Sequence, residues 1–523
     1  MQKTYLFLIL LLAILLRVVY LDKFPPSLNW DEVSHAYNAY SLLRTGRDQW
    51  GQVLPLVSFR AYGDYPAPIN LYFTAPFVLL FGPTDFAARL PHALIGAIGV
   101  IPIFAAAYCW SKNFKLALLA SLLFAITPWA LFPSRAVFQS NWTLFLMSIF
   151  LALYLRSSFR LSFLFLGLSL FSYHNARIFI PLFAVFLLVY FRRHLFFILA
   201  VLGLSVLILL SPSSLARGNW VGILDPGVIS GIEQSRLASS LPAPFPRLIY
   251  NRPVYLVNQF VSHLLGYFSP QFLALSGGTQ FQYSLPGFGV LLWPEAVFFY
   301  LGLILILFKL KSSSPTDKLL LVWLFLAAFP AAVTRDKFAV IRSNLMIPPV
   351  VLISAWGLWW SWSQLKTRLR KIYIFAIIIS LFIFLDLYME NYFKKYPVNY
   401  SQSWQFGYKE VANYVKNHYQ DYNQIIITKR YGEPHEFVAF YWPWDPADFQ
   451  AHASWDFHAN WYWINGLDKI KFVVDREMAD TVANLPIGKK YLIVSDPDFP
   501  TLGRNLTQIN FLDNKPAFII KEL

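Results

Sequence analysis

The sequence predicts a membrane protein with many α-helices, followed by a small α/β domain. Hydrophobic residues make up 57% of the 523 residues, and the mean hydropathy is +0.48. Only 14% of the residues are charged, whereas soluble domains carry about 25%. Long apolar runs recur as far as residue 389, and beyond it they shrink to the length of strands. These observations divide the chain into a polytopic domain, 1–389, and a domain of mixed structure, 390–523.

Apolar runs in the first domain have the length of membrane helices, since about 20 helical residues cross a bilayer. We count eleven, at 5–21, 86–109, 116–132, 142–155, 161–173, 178–191, 195–210, 290–308, 319–333, 345–360 and 372–388. Every second loop between them is basic, with Lys112 and Lys115, Arg156 and Arg160, Arg192 and Arg193, Lys309, Lys311 and Lys318, or Lys366, Arg368, Arg370 and Lys371. Basic loops stay in the cytoplasm. The N-terminus is therefore predicted inside and the C-terminus outside.

One segment, 69–82, makes the number of spans ambiguous. It is apolar but short for a span, and it contains Pro76. We predict that it lies along the outer interface or dips into it as a re-entrant piece. The alternative is a short membrane helix in a chain of twelve or thirteen spans. The predicted fold is thus a polytopic α-helical membrane protein with about 11–13 transmembrane helices.

The segment 390–523 reads as an extracytoplasmic α/β domain. Apolar and aromatic residues at helical spacing predict a helix over 406–418. Short hydrophobic runs predict strands at 424–428, 471–474, 490–495 and 517–520. Aromatic residues are dense around Trp442, Trp455 and Trp461. They either pack on the outer interface, contact sugar, or form a tryptophan-rich core.

The first predicted outer loop, 22–67, carries the candidate catalytic acids Asp31, Glu32 and Asp64. Carboxylates beside a bilayer are costly, so they favour a functional reading. One of them would accept a proton from an acceptor during group transfer. The structural alternative for Asp31 and Glu32 is a helix start capped by Asn29. Asp64 either positions substrate, binds a metal, or is an ordinary acid before a turn.

Basic residues at the outer ends of the helices are the candidates for binding a phosphate. They are Arg89, Arg135, His174, Arg177, Arg335, Lys337 and Arg342. Arginine matches phosphate oxygens with two parallel hydrogen bonds, and outer loops are usually poor in cations. For any one of these residues alone, the alternative is an ordinary contact with lipid headgroups. The long outer loop 211–289 is a candidate lid over the site.

Several function classes lack support in the sequence. No phosphate-binding glycine loop or dinucleotide fingerprint is present, and neither is Cys/His metal spacing. The net charge of +15 lies largely in short inter-helix loops, so it indicates contact with membrane lipids rather than nucleic acid. Cys109 is the only cysteine, which excludes disulfide bonds within the chain. Acids are nearly absent from the core helices, which argues against a proton-coupled transporter.

A series of motifs, most of them in the first 210 residues, resembles the motifs of a known family. Asp31-Glu32 follows the first helix, and Tyr65-Pro66-Ala67-Pro68-Ile69 precedes an aromatic stretch. The motifs that follow are Phe86-Ala87-Ala88-Arg89-Leu90-Pro91, Thr127-Pro128, Ser134-Arg135, Tyr173-His174-Asn175-Ala176-Arg177, and Arg342 before the segment 347–357. Together they resemble the polyprenyl-phosphate-dependent glycosyltransferases of GT-C fold, the superfamily of protein O-mannosyltransferases and aminoarabinose transferases.

The resemblance implies transfer of a sugar, with inversion, from a polyprenyl-phosphate carrier to an acceptor at the outer membrane face. Asp31 then resembles the general base or acceptor-orienting acid, Glu32 a supporting acid, Asp64 a later loop acid, and Arg89 the essential basic residue. No cofactor is certain, although a divalent cation is possible. The family's distribution implies the bacterial inner membrane. Two other readings stay open: a flippase or exporter of lipid-linked sugars, and a non-catalytic scaffold for envelope assembly.

Overall fold

The computed structural model describes residues 2–190, 194–215, 222–224, 226–310, 314–499 and 501–523. Contacts divide the chain into two compact units. Unit 1 comprises Met1–Leu16, Ile95–Pro133 and Ser140–Asp386, and unit 2 comprises Arg17–Leu94, Ser134–Gln139 and Leu387–Leu523. Arg192, Arg193 and Lys311 of the predicted basic loops, and part of the loop 211–289, lie outside the described residues. The predicted domain boundary between 389 and 390 stays a prediction.

Unit 1 is a bundle of apolar helices. Its helices are Gln2–Val18 as far as Leu16, Val100–Ser111, Phe114–Ile126, Pro128–Leu131, Ser140–Leu155, Phe159–Ser169, His174–Tyr190, Leu195–Leu209, Pro226–Leu237, Phe245–Ile249, Arg252–Gly266, Trp293–Phe308, Pro315–Ala327, Phe329–Ala332, Ile347–Ser363 and most of Thr367–Glu390. Gly302 and Gly357 let two of these helices touch backbone to backbone, because a Cβ on either glycine would strike the other helix. Close approach at small residues is the usual way in which membrane helices pack.

Four described helices are long and apolar enough to cross a membrane: Asp85–Ser111, Pro315–Ala332, Asn344–Ser363 and Thr367–Tyr400. A fifth results if Phe114–Ile126 and the bent piece Pro128–Arg135 form one span. Six further apolar helices have 10–17 residues, and among them is Pro68–Phe81, in the segment predicted to lie at the interface. The prediction of a helical membrane protein is confirmed. The number of spans and the place of 69–82 stay predictions.

Unit 2 contains a seven-stranded sheet: β1 Gln424–Thr428, β2 Ser454–His458, β3 Trp461–Leu467, β4 Ile470–Val473, β5 Tyr491–Ser495, β6 Arg504–Asn510 and β7 Pro516–Glu522. The order is β2-β3-β4-β1-β5-β7-β6, with β4, β1 and β5 parallel and the other pairs antiparallel. Helices Tyr408–Asn417, Pro434–Tyr441, Pro446–His452 and Asp475–Ala483 accompany it. The predicted helix and four strands are confirmed, whereas β2, β3 and β6 were not predicted.

The first loop folds as part of unit 2. Its main element, which we name the loop helix, is Trp30–Thr45. Asn29 and Glu32 cap its start reciprocally, and Gly46 ends it with a φ of 68°. Val33, Ala36 and Tyr37 of the loop helix share one buried apolar core with residues of the sheet, among them Ile425 and Leu492. The acids of the first loop are thus held against the C-terminal sheet.

Candidate active site

The start of the loop helix is fixed by a buried ion pair between Glu32 and Arg89. Both side chains are fully buried, and two parallel bonds of 3.0 Å join the guanidinium to the carboxylate. The same carboxylate accepts hydrogen bonds from the backbone N–H groups of Asn29 and Val137, each at 3.0 Å. These four hydrogen bonds use the oxygen lone pairs of the Glu32 carboxylate, so none of them is left to point toward solvent. Glu32 therefore stabilises the start of the loop helix, and its role as a supporting acid in catalysis stays a prediction.

Arg89 uses its whole guanidinium for the loop. Beyond Glu32, it donates to the carbonyl oxygens of Leu21, Pro25 and Ser27 at 2.5 to 3.2 Å. Guanidinium has five N–H groups, and these five bonds account for all of them. In this arrangement Arg89 organises the loop around Asp31. The phosphate-binding role predicted for it would require some of these bonds to break.

Asp31 lies in the first turn of the loop helix and is only partly buried. The Tyr62 hydroxyl donates a hydrogen bond to its Oδ1. Burial, and then the negative charge of Asp31, raises the pKa of Tyr62 well above its ordinary value, so the phenol stays protonated. Tyr62 in turn stacks on Trp461 of β3 at a centroid distance of 5.2 Å. Asp31 is therefore an oriented carboxylate at the start of a helix, where negative charge is favoured.

A layer of buried polar side chains lies one turn further along the loop helix. His35 Nδ1 is 2.9 Å from Asn70 Nδ2, and Asn70 Oδ1 is 2.7 Å from His92 Nε2. Burial lowers the pKa of His35 to about 4, although the charges of Asp64 and Glu436 oppose this shift. His35 is therefore neutral at pH 7. Asp64 itself is partly buried, and its Oδ1 accepts a hydrogen bond from Tyr65 N–H at 2.7 Å.

Arg135 is also buried in unit 2 and bonded internally. Its Nε donates to the Tyr392 hydroxyl at 3.0 Å, and its Nη2 donates to the Val19 carbonyl at 2.9 Å. Its guanidinium also lies over the rings of Tyr392 and Phe393, at 5.2 and 5.3 Å. Arg135 thus resembles Arg89 in joining distant parts of the backbone.

Unit 1 contains the other five predicted cations, and their exposure separates them into two kinds. Arg177 is buried and donates to the Leu170 carbonyl, to Ser214 and to His174 Nδ1. Asn175 lies between His174 and Arg177 in the sequence. Its side chain donates to the Arg342 carbonyl at 3.4 Å and to Asn344 at 2.8 Å. His174 and Arg177 are therefore in contact, and the backbone of Arg342 lies beside Asn175.

The second kind lies on the segment 334–342. Arg335 and Lys337 are exposed, and Arg342 is partly exposed. Arg342 Nη1 donates to Asp336 at 2.8 Å and to Thr334 at 3.0 Å. Lys337 Nζ lies 4.9 Å above the ring of Phe338. These three side chains present cationic groups to the surface of unit 1, unlike Arg89, Arg135 and Arg177.

Several residues of the site were missed by the sequence analysis. A row of contacts joins Tyr62, Trp461 and Glu433. Tyr62 stacks on Trp461, and Trp461 Nε1 donates to Glu433 at 2.8 Å. His35 had one available signal, since it follows Asp31 by four residues and so lies on the same helix face. Within the described ranges, no group of three or more His, Cys, Asp or Glu side chains is arranged to hold a metal. The possible divalent cation stays an expectation.

Comparison with solved structures shows the class of fold: GT-C, the fold of polyprenyl-phosphate-dependent membrane glycosyltransferases. The chain is similar to ArnT from Cupriavidus metallidurans bound to undecaprenyl phosphate, with a TM-score of 0.57 and 12% identity over 99% of this chain and 98% of that one. Apo ArnT gives a TM-score of 0.58 at 13% identity over the same shares. The apo oligosaccharyltransferase of Archaeoglobus fulgidus has a TM-score of 0.51 and 15% identity, over 84% of this chain and 63% of that one.

Sequence comparison adds no relative to these structures. No protein-family model matches the chain, and no curated protein matches it. At 12–15% identity the structural likeness establishes the fold. The resemblance drawn from the motifs is thereby confirmed at the level of the fold, and the roles of the individual residues stay predictions.

Proposed function

We propose that the protein is an inverting glycosyltransferase that moves a sugar from a polyprenyl-phosphate carrier to an acceptor at the outer membrane face. The observation that carries this proposal is the contrast between the two adjacent acids. Glu32 is fully buried and neutralised by Arg89, whereas Asp31 is partly exposed and oriented by Tyr62. A fold shared with a protein bound to undecaprenyl phosphate supports the choice of donor.

The proposed reaction is a single displacement at the anomeric carbon. An acceptor hydroxyl or amine attacks this carbon, the bond from carbon to the phosphate oxygen breaks, and polyprenyl phosphate leaves with the bonding electrons. Asp31 accepts the proton that the acceptor loses. The negative charge that develops on the leaving phosphate needs cations beside it. Arg335, Lys337 and Arg342 of unit 1 stay predicted phosphate-binding residues, and their side chains are exposed or partly exposed.

Transfer of radiolabelled sugar from a panel of polyprenyl-phosphate donors, with membrane extract as acceptor, tests this proposal. We expect Asp31→Asn to lower the rate at least about a hundredfold, in the range for a lost general base. Asp22→Asn is the matched control, because Asp22 is an exposed acid of the same loop. Near wild-type transfer by Asp31→Asn would refute the role of Asp31. Absence of transfer from every donor by folded protein would favour the flippase or scaffold reading.

A further inference from the structure

A cavity of about 400 Å³ lies at the C-terminal sheet, and the acids of the first loop are not part of its lining. It opens where the parallel strands β1 and β4 end, and β3 forms one of its walls. In open α/β sheets the carboxyl ends of parallel strands are the usual place for a ligand. Its polar lining includes Lys429, His458, Asn465, Lys471 and Arg476.

The cavity has an excess of positive charge. Its two acids each lie beside a partner: Asp456 is 3.4 Å from His458, and Glu477 is 3.5 Å from Arg476. In the part of the chain that the structure describes, neither Lys429 nor Lys471 forms an ion pair with a carboxylate. Lys429 Nζ instead donates to Asn465 Oδ1 at 2.7 Å. Lys429, Lys471 and Arg476 outnumber the two carboxylates of the lining, so a ligand with an acidic group would meet a net positive charge.

The wall formed by β3 is aromatic. Side chains alternate along a strand, so Trp461, Trp463 and Asn465 share one face of β3. Lys429 Nζ lies 5.4 Å from the centroid of Trp463, and Trp463 lines the cavity. His458 stacks on Trp463 at a centroid distance of 5.4 Å, so these two rings together form an apolar platform, and Asn465 and the lysines beside it offer hydrogen bonds. This combination suits a sugar ring, which has an apolar face and a rim of hydroxyl groups.

The same face of β3 connects the cavity with the candidate catalytic acid. The rings of Trp461 and Trp463 are 6.0 Å apart, and Trp461 stacks on Tyr62 at 5.2 Å. Tyr62 donates to Asp31. A row of aromatic rings thus leads from Asp31 to the cationic cavity within unit 2.

We propose that this cavity binds an acidic saccharide unit of the acceptor, with the sugar ring against the stacked rings of His458 and Trp463 and with Lys429 and Lys471 on its carboxylate or phosphate. Trp461 continues the platform toward Asp31. The proposal rests on the proposed function, because the bound unit is placed on the acceptor that Asp31 would activate. It assigns to the C-terminal domain the selection of acceptors that carry an anionic group.

The test measures binding by titration calorimetry on the purified full-length protein, without any donor. The probes are glucuronate, glucose 6-phosphate, glucose and inorganic phosphate. We expect the two acidic sugars to bind at least about tenfold more tightly than glucose or phosphate, since a bond to a charged group contributes more than a neutral one. Equal affinity for phosphate and glucose 6-phosphate would overturn the saccharide assignment, and equal affinity for glucose and glucuronate would overturn the role of the lysines.

Matched variants place the binding in the cavity. Trp463→Ala and Lys429→Gln should each weaken glucuronate binding about tenfold. Trp455→Ala and Lys515→Gln should leave it unchanged, because both residues are exposed and lie outside the cavity lining. An equal loss of glucuronate affinity in these two controls would overturn the proposal. The thermal unfolding midpoint of each variant shows that it is folded. Binding without transfer would refute the proposed function alone, whereas transfer without binding would refute the subsite alone.

Discussion

At the scale of single residues, Glu32 and Arg89 decide whether Asp31 is held in place. The ion pair is fully buried, and Arg89 also ties down three backbone carbonyls of the first loop. We expect Arg89→Met to lower the free energy of unfolding by about 3–5 kcal/mol, because it leaves a buried carboxylate without its partner. Denaturant unfolding in detergent measures this change. Arg44→Met, at an exposed position of the loop helix, should change stability by less than about 0.5 kcal/mol.

His35 predicts how stability depends on pH. Burial lowers its pKa to about 4, from 6.5 when unfolded, so the unfolded chain binds the extra proton between these values. Stability is therefore complete above pH 6.5 and falls by about 3 kcal/mol as the pH drops to 4. His35→Gln should remove this part of the loss while leaving the contributions of other groups. The same pH dependence in His35→Gln as in wild type would contradict the prediction.

The sequence was informative about adjacent residues and silent about distant ones. Asn29, Asp31 and Glu32 are close together in the chain, so both the cap and the paired acids were readable. The structure shows the cap, since Glu32 and Asn29 bond reciprocally, and it leaves Asp31 partly exposed; the catalytic role of Asp31 stays a prediction. His35, Asn70 and His92 meet only through folding. No local pattern marks such a set.

At the scale of elements, β3 and the segment after β1 hold the first loop against the sheet. The Tyr462 backbone N–H donates to the Tyr62 carbonyl at 2.5 Å, and Gly63 lies so close to Trp461 that a Cβ would strike the ring. Strand β3 was missed because its residues include several large aromatics in no clear alternation, and β2 because it is exposed on both faces. The central strands β1 and β5 were predictable because they are continuous apolar runs, as in buried parallel sheets.

Gly432 provides a test of this contact between elements. Its φ is +127°, and a Cβ there would strike the ring of Trp30 at the start of the loop helix. We expect Gly432→Ala to lower the free energy of unfolding by more than Gly488→Ala does. The control Gly488 also has a positive φ, +87°, but no neighbouring atom within 4 Å. Gly488→Ala therefore reports backbone strain alone, about 1–2 kcal/mol. Equal losses of unfolding free energy in the two variants would show that the contact with Trp30 contributes nothing.

At the scale of the whole molecule, helix length and span number are separate questions. The sequence predicted eleven apolar segments, and the described helices follow most of them. Six of the apolar helices have only 10–17 residues, whereas about 20 residues cross a bilayer. Apolar runs therefore locate the helices well. They do not decide which short helices cross and which dip into one face, because proline breaks, bends and re-entrant pieces have the same composition as a span.

Topology follows from charge and is the last prediction. Basic loops such as 156–160 and 366–371 should face the cytoplasm, which places the sheet of unit 2 outside. Replacing Cys109, the only cysteine, by Ser gives a background for labelling single cysteines introduced at Ser157 and Lys515. In intact bacterial cells, a membrane-impermeant maleimide should label Lys515→Cys and leave Ser157→Cys unlabelled, whereas permeabilised cells should label both. The reverse pattern would show the opposite orientation in the membrane. Asp31 would then lie on the cytoplasmic side, where it could not act in a transfer reaction at the outer face. Labelling of neither residue or of both residues in intact cells would reject the assignment of inside and outside by loop charge.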